Sequence, residues 1–534
     1  MPDNGSGSDK SQKILIYILI GVAAVCLLAA LVAVGLRVCT IRQDRLDTAD
    51  VTEVPEGADE DDVDTDDAVT DDASITEPDQ AEEEETEEEE EEEEEYTSLA
   101  CAPAESMTLR SSYGFDDNDE EDDRSDVIRA IYPGTYLKWY GVSETVSDES
   151  GDKEESYYYV KVADTDEEGY VAAKYCVEVT CPYDESDLNT VSIDNALYTY
   201  DDMVEDLKKL ASDYPDRLSY EVIGKSVDGR DIYAVTLGNP DAEGHVMGQA
   251  TIHGREYMNT QLMMRLIEYY CYYYDDGTYS DVTYRDLFEK TAFHIVPMAN
   301  PDGVTISQFG VDGLNDTSLI QGLMDSYDMD KPNLCYEQNS NGDYNWADHY
   351  KEPDFDLETS DNPTEITFEE YLTQWKANAH GVDLNNNFDA GWDGIELKTW
   401  RSYGSFKGDS AVSEPETQAL VDYAGRYDYL CFMSYHSMGQ LIYYDVNGNT
   451  AENSARSLEL AETFEDHIKY KPVNTNKGYN VNLGGFGDWI QLSLNKPSVT
   501  IESGKKPCPL DISEFTAIWL RHRESWAMLA HKFY

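Results

Sequence analysis

Positive charge is what this chain of 534 residues lacks most, with 38 lysines and arginines against 110 aspartates and glutamates, a formal net charge of −72. Phosphate binding needs basic surface, so nucleic acid is excluded as the main partner. Cysteine is sparse and scattered, nine in all, and none has the spacing of a zinc ribbon. The metal site described below is therefore expected to be built from histidine and glutamate. An internal repeat is missing as well, and a chain of this length has room for two or three separate domains.

Composition divides what is there. After a polar tail, residues 1–13, comes an apolar run from Ile14 to Leu36. At about 1.5 Å per residue it spans roughly 35 Å as a helix, enough to cross a bilayer, and it is longer than the apolar core of a cleaved signal peptide. A retained transmembrane helix over 14–36 is expected. Lys10 and Lys13 precede it, and Arg37, Arg42 and Arg45 follow it. Long domains translocate largely regardless of such counts, so the chain is read as a single-pass protein of the cell membrane with its carboxyl side extracellular. Residues 37–97, ending in the Glu87–Glu95 run, are almost wholly acidic, small or polar. Such a segment cannot bury enough apolar surface to fold, and its self-repulsion makes it an extended spacer.

Residues 98–180 read as a small all-β unit, with short Val-, Ile- and Tyr-rich runs separated by turns such as Pro133-Gly134-Thr135. The aromatic group Tyr157–Tyr159 reads as a ligand groove or as part of its core, with core preferred. Cys176 and Cys181 bracket the junction with the next domain and are the first pair to consider for a disulfide. The remainder, 196–534, reads as α/β, a mixed β-sheet flanked by helices. Within it, Ser413 and Glu416 have the spacing of a capping box, and Val311–Gln374 reads as a long acidic insertion that either borders the cleft and narrows access or is a passive surface excursion.

Four strand-like runs in this last region end in chemistry-bearing residues. Val246–Ile252 leads into His253, with Glu256 three residues on, and Tyr429–Tyr435 leads into His436. Ser498, Thr500 and Glu502 share one face of a third run. Phe293–Met298 runs into the turn Asn300-Pro301-Asp302-Gly303. Ligands of open α/β sheets bind outside the carboxyl ends of strands, so these ends can meet at one site. An imidazole and a carboxylate three residues apart can grip one zinc ion from a tight turn. His436 supplies a third ligand, which leaves the fourth position for water.

From Tyr198 onward the chain resembles the zinc carboxypeptidases of the carboxypeptidase A type, closest to the bacterial branch that trims cell-wall peptides. The resemblance lies in Tyr200–Tyr214 (a leading helix), Gly224-Lys225-Ser226, Gly229-Arg230-Asp231, His253–Glu256 and Asn300–Gly303. It continues in Gly381-Val382-Asp383-Leu384-Asn385, Ser413–Thr417, Ser434–Ser437 and Thr500-Ile501-Glu502. It implies zinc held by His253, Glu256 and His436, Glu502 as general base, and a substrate-binding part for Arg255. The stretches Leu109-Arg110-Ser111, Tyr159–Val162, Gly169–Val171 and Lys174-Tyr175 resemble bacterial SH3-like domains, which implies tethering to a cell wall.

Three positions depart from the family pattern. Where the family has an arginine after the asparagine of Asp-Leu-Asn, this chain has Asn386 after Asn385. A neutral amide cannot replace that charged, bidentate clamp on a terminal carboxylate. The arginine that the family sets against the developing oxyanion is missing from Trp375–His380, where His380 or Lys376 is the available substitute. The family's active-site tyrosine has Tyr479 nearby, although counting back from Gly484-Gly485 places Asn480 there. The expectation is a membrane-anchored zinc peptidase acting on peptidoglycan-derived peptides, substrate being held by Arg255, Asn385, Asn386, His380 and Tyr479. A non-catalytic or weakly active zinc-containing wall-binding protein is the alternative. A secreted digestive carboxypeptidase is disfavoured by Asn386 and the anchor.

Overall fold

A computed structural model describes residues 97–101, 107–113, 127–131, 136–147, 154–162, 167–178, 187–338, 344–357, 365–474 and 484–534. The expected tail, the transmembrane span 14–36, most of the acidic spacer, Cys181, Tyr479 and Asn480 lie outside the described residues. Among the described residues no helix is long and apolar enough to cross a membrane.

The amino-terminal part is all-β. Strands β1 (Thr97–Cys101), β2 (Met107–Arg110), β3 (Val127–Ile131), β4 (Tyr136–Ser147), β5 (Glu154–Val162), β6 (Glu168–Ala172) and β7 (Cys176–Glu178) form one antiparallel sheet, ordered β3-β2-β6-β5-β4-β1-β7. Leu109, Ile131, Leu137, Val160, Val162 and Val171 close its core. Each contributes roughly 1.5–3 kcal/mol by leaving water. Of the tyrosine triplet only Tyr157 is buried. Tyr158, on the face of Val160 and Val162, packs against this core beside Trp139 at 4.4 Å between ring centroids, whereas Tyr157 and Tyr159 lie on the other face, where Tyr159 donates to the Glu168 carboxylate. Alternation along the strand sends neighbours to opposite faces, so three consecutive tyrosines cannot all enter one core. Cys176 is a free thiol.

The second part is built on β8 (Leu218–Lys225), β9 (Asp231–Leu237), β10 (Gly244–Ala250), a short ribbon of β11 (Thr278–Tyr279) and β12 (Val282–Thr283), and β13 (Thr291–Val296). There follow a hairpin of β14 (Leu334–Gln338) and β15 (Tyr344–Asp348), then β16 (Cys431–His436), β17 (Leu441–Asp445), β18 (Lys471–Asn474) and β19 (Ser498–Glu502). Eight of them make a mixed sheet, ordered β18-β17-β19-β16-β10-β13-β9-β8. Its centre is parallel: β10 pairs with β13 and β16, and β16 with β19. Strands covered on both faces read as continuous apolar runs, and β13 and β16 are buried at every position.

Pleating divides the side chains between two cores. Val246, Phe293, Met433 and Tyr435 face the helices Tyr200–Asp213, Met258–Tyr272, Ala451–Ile468 and Ser525–Lys532. Met247, Val296 and Phe432 face the helices Pro415–Ala424 and Phe486–Trp489. The leading helix forms as its sequence predicts. Thr199 Oγ1 accepts from the Asp202 amide at 3.1 Å, the Asp202 carboxylate accepts from the Thr199 amide at 2.9 Å, and Met203, Leu207 and Leu210 are buried at helical spacing.

One expectation is corrected, and two further features are added. Ser413 and Glu416 form no capping box. Glu414 is the N-cap of the helix Pro415–Ala424, and the buried Glu416 carboxylate accepts from the Val227 amide at 3.0 Å and from Asn378 Nδ2 at 3.1 Å. The proline at the first helical position starts that helix without a cap. The insertion Val311–Gln374 also has a core of its own, in which Leu323, Leu334, Ile366, Tyr371 and Leu372 pack together with Trp375. Its apolar residues are split among short elements, so no single window shows a period. Asp330 at its centre accepts from Lys398 Nζ (3.0 Å), Trp400 Nε1 (2.8 Å) and the Tyr371 hydroxyl (2.8 Å). Finally, packing of this part begins upstream of Ala196. Leu188 and Val191 are buried, and the Thr190 and Val191 amides donate to Glu268 at 2.7 and 3.1 Å.

Candidate active site

The parallel strands deliver their carboxyl ends to one edge of the sheet, and the chemistry begins there. β10 ends at Ala250, three residues short of His253. Thr251 lies between them with φ 57°, a left-handed conformation that strains a β-branched residue. The strain is held by bonds on both sides: Thr260 Oγ1 donates to Thr251 Oγ1 at 2.9 Å, and the Asn300 amide donates to the Thr251 carbonyl at 3.2 Å. The chain then turns through the 3₁₀ segment Gly254–Glu256, which brings His253 Nδ1 within 2.8 Å of Glu256 Oε1. Gly254 admits no side chain, because a Cβ there would sit 2.2 Å from the Gly303 carbonyl carbon.

The Asn300–Gly303 motif holds this turn in place. Asn300 caps the helix Pro301–Phe309 by accepting from the Gly303 amide at 2.9 Å. Its Nδ2 donates to the carbonyls of Ile252, Lys376 and Ala377, each at 3.1 Å. Asp302 accepts from Ser226 Oγ (2.7 Å), the Asp228 amide (2.7 Å) and Arg230 Nη1 (2.9 Å), which explains the Gly224–Asp231 signature as scaffolding.

His436, the last residue of β16, completes the group. Its Nδ1 lies 3.2 Å from His253 Nδ1 and 3.2 Å from Glu256 Oε2. Ligands about 2.0–2.1 Å from a tetrahedral zinc stand roughly 3.3 Å apart, and the two imidazole nitrogens, with one Glu256 oxygen facing each, lie at 2.8–3.2 Å, near that separation. All three residues are buried, and one donor atom from each lies within 4.8 Å of the other two. Burial alone would lower the pKa of His253, yet Glu256 and Asp383 push it up. Burial likewise opposes the Glu256 anion, yet the two imidazoles hold that carboxyl well below its usual range. The donor set fits zinc.

Glu502 ends β19 directly opposite His436 in the parallel register. Burial raises its pKa to about 7. The nearby charge of Glu256 adds to this, while His436, Lys376 and Arg255 oppose it. A carboxyl poised near neutrality beside a metal site is suited to exchanging protons.

The expected substrate residues divide. Arg255 is half-buried, with Nη1 donating to Gln374 Oε1 at 2.8 Å, and its charge acts on Glu502. Asn385 Oδ1 accepts from the Phe486 amide at 3.0 Å, fixing the start of the helix Phe486–Trp489. Asn386 is buried beside it, its amide donating to the Asp383 carbonyl at 2.9 Å. His380 turns its Nδ1 to Glu414 at 2.9 Å, whereas the positive charge of Lys376 bears on His253, Asp383 and Glu502 together. Of the two substitutes weighed for the missing arginine, Lys376 is the one whose charge reaches the site.

Asp383 has a role that sequence spacing did not assign. Its Oδ1 lies 3.3 Å from His253 Nε2, the nitrogen that does not face the other donors. A carboxylate on the outer nitrogen of a ligating histidine fixes its tautomer and ring orientation. The only available signal was its place in the Gly381–Asn385 stretch, which says nothing of its partner.

A model of the zinc carboxypeptidase family matches residues 203–524. Over 325 residues the chain is 25% identical to gamma-D-glutamyl-L-diamino acid endopeptidase 1 of Lysinibacillus sphaericus, covering 60% of this chain and 69% of that protein. It is 26% identical over 346 residues to carboxypeptidase D of Anas platyrhynchos, covering 62% of this chain and 21% of that one. Among solved structures, carboxypeptidase A from Helicoverpa armigera is similar at 20% identity and a TM-score of 0.42, covering 64% of this chain and 74% of that one.

Proposed function

The chain belongs to the zinc carboxypeptidase family, and from that premise we propose that this metallopeptidase is anchored in the cell membrane and cleaves cell-wall peptides outside it. The observation that carries the chemistry is the meeting of His253 Nδ1, Glu256 and His436 Nδ1 at 2.8–3.2 Å beside Glu502. His253, Glu256 and His436 would hold a zinc ion, which would supply Lewis acidity there, enough to acidify water near neutral pH and to polarise a carbonyl.

The remaining work falls to side chains. Glu502 accepts the proton of the attacking water and later delivers it to the leaving amine, a task suited to a carboxyl with a pKa near 7. Lys376 stabilises the charge that develops on the carbonyl oxygen, assisted by Arg255. Asp383 holds His253 in the tautomer that presents Nδ1. His380, paired with Glu414, takes no part.

The substrate class rests on two supports. A relative over most of the matched region is, by its name, an endopeptidase for gamma-D-glutamyl-L-diamino acid linkages. Asn386, where a carboxypeptidase would clamp a terminal carboxylate with arginine, favours a substrate lacking a free α-carboxylate at that point. The antiparallel unit over 97–178 is proposed as an SH3-like wall-binding module, and the apolar run 14–36 as the anchor. Incubating the full chain with a defined muropeptide set, with and without chelator, tests the reading by product mass. Chelator-sensitive fragments larger than one amino acid support an endopeptidase, and release of single residues an exopeptidase. Full zinc occupancy without hydrolysis of any muropeptide would instead favour a wall-binding protein without turnover.

A further inference from the structure

A second group of metal-type donors lies on the β14–β15 hairpin, apart from the active site. Cys335 and Glu337 stand two residues apart on β14, hence on the same face. His349 follows the end of β15, whose Asp348 pairs with Leu334, and its amide donates to the Asn333 carbonyl at 2.9 Å. A tight turn, closed by the Glu352 amide on the His349 carbonyl at 2.8 Å, brings Glu352 back to the same imidazole.

Glu337 Oε1 lies 2.7 Å from His349 Nε2, and Glu352 Oε2 lies 2.9 Å from Nδ1. Neither contact is aligned as a hydrogen bond. The Cys335 sulfur, a Glu337 oxygen and a His349 nitrogen all lie within 4.8 Å of one another. Cys335 is 1% exposed and a free thiol, with no hydrogen-bond partner for its sulfur among the described residues. The His349 ring is held by stacking on Phe355, 4.1 Å between centroids and 14° from parallel. Glu337 and Glu352 are more than half exposed, so an ion can enter from solvent.

We propose that Cys335, His349 and Glu337 form a second cation site, of the borderline-soft divalent class to which zinc belongs, with Glu352 on the outer nitrogen of His349. A thiolate, an imidazole and a carboxylate are the ligand types such an ion takes, and the Glu352 contact repeats the arrangement of Asp383 at the active site. The site ties β14 to the turn after β15. That hairpin also supports the active-site wall: Trp346 Nε1 donates to the Tyr403 hydroxyl at 3.1 Å, and the Tyr403 carbonyl accepts from the Lys376 and Ala377 amides at 2.8 Å each. The bound ion is therefore a staple on the wall that carries Lys376.

Cobalt titration tests this, because a thiolate ligand gives a charge-transfer band in the near ultraviolet and the three active-site ligands contain no sulfur. The full chain is stripped with chelator, dialysed, and titrated with cobalt alone. The wild type is expected to take up two equivalents, with the thiolate band. Cys335→Ser and His349→Ala should each lose the band and one equivalent while retaining zinc-dependent hydrolysis, and His436→Ala should keep the band. A wild type without the band, or a band that survives in Cys335→Ser or His349→Ala, overturns the proposal in favour of an imidazolium merely flanked by two glutamates.

Discussion

Replacing Asp383 by asparagine exchanges one oxygen for an NH₂ group and should weaken metal binding by a definite amount. The carboxylate uses both oxygens: Oδ1 faces His253 Nε2 at 3.3 Å and accepts from the Asn385 amide at 3.2 Å, and Oδ2 accepts from the Ser405 amide at 2.9 Å. An asparagine has one acceptor oxygen. Whichever way the amide is turned, its NH₂ meets a donor, either the His253 N–H or the Ser405 N–H. The anion is also strongly favoured where it stands. Burial would raise the Asp383 pKa, but His253, Lys376 and the Ser405 amide hold it well below the usual carboxylate range. Loss of such an outer partner typically lowers metal affinity about 10–100-fold, which is about 1.4–2.7 kcal/mol. The three inner ligands remain, so binding should weaken without being abolished. Competition for zinc against a chromophoric chelator at neutral pH measures this directly. A zinc affinity equal to that of the wild type would refute the positioning role of Asp383.

Other outcomes follow from the same geometry. Glu502→Gln should keep zinc, by elemental analysis, and lose nearly all turnover, since the ligand set is intact while the proton acceptor is gone. Lys376→Gln should lower kcat about 10²–10³-fold, the usual effect of losing one oxyanion donor, with zinc content unchanged, whereas His380→Gln should leave kcat near wild type. Burial pushes His522 down to about 3 and His467 down to about 4, against about 6.5 in an unfolded chain. Both are neutral in the folded protein, so the stability they contribute is complete above pH ~6.5 and is lost as pH falls toward those folded values. His522→Gln removes one such proton uptake, and thermal melts should show a shallower loss of Tm between pH ~6.5 and ~4. An unchanged slope would mean that His522 is not held neutral.

The central parallel strands were legible because burial on both faces forces continuous apolar runs, and strand ends are where such sheets put chemistry. This exposed His253, Glu256, His436 and Glu502 at once. The departures have local causes. β10 stops at Ala250 because Thr251 turns left-handed, and nothing in a run of apolar residues announces a positive φ. Glu416 has the spacing of a capping residue but bonds the Val227 amide, from a turn nearly two hundred residues earlier. The insertion hides its core by distributing it over one helix, one hairpin and one short helix, each too brief for a period to register. The separation of Lys376 from His380 depends on where Glu414 lies, a tertiary fact that spacing along the chain does not carry.

The central claim is that His253, Glu256 and His436 hold one catalytic zinc ion beside Glu502. Its most direct test is muropeptide hydrolysis by the full chain, stripped of metal and then resupplied with zinc, in the wild type and in His436→Ala. Wild-type hydrolysis should vanish on stripping and return with zinc, and His436→Ala should stay inactive at every zinc concentration. Wild-type rates from His436→Ala, or hydrolysis indifferent to metal removal, would contradict the account.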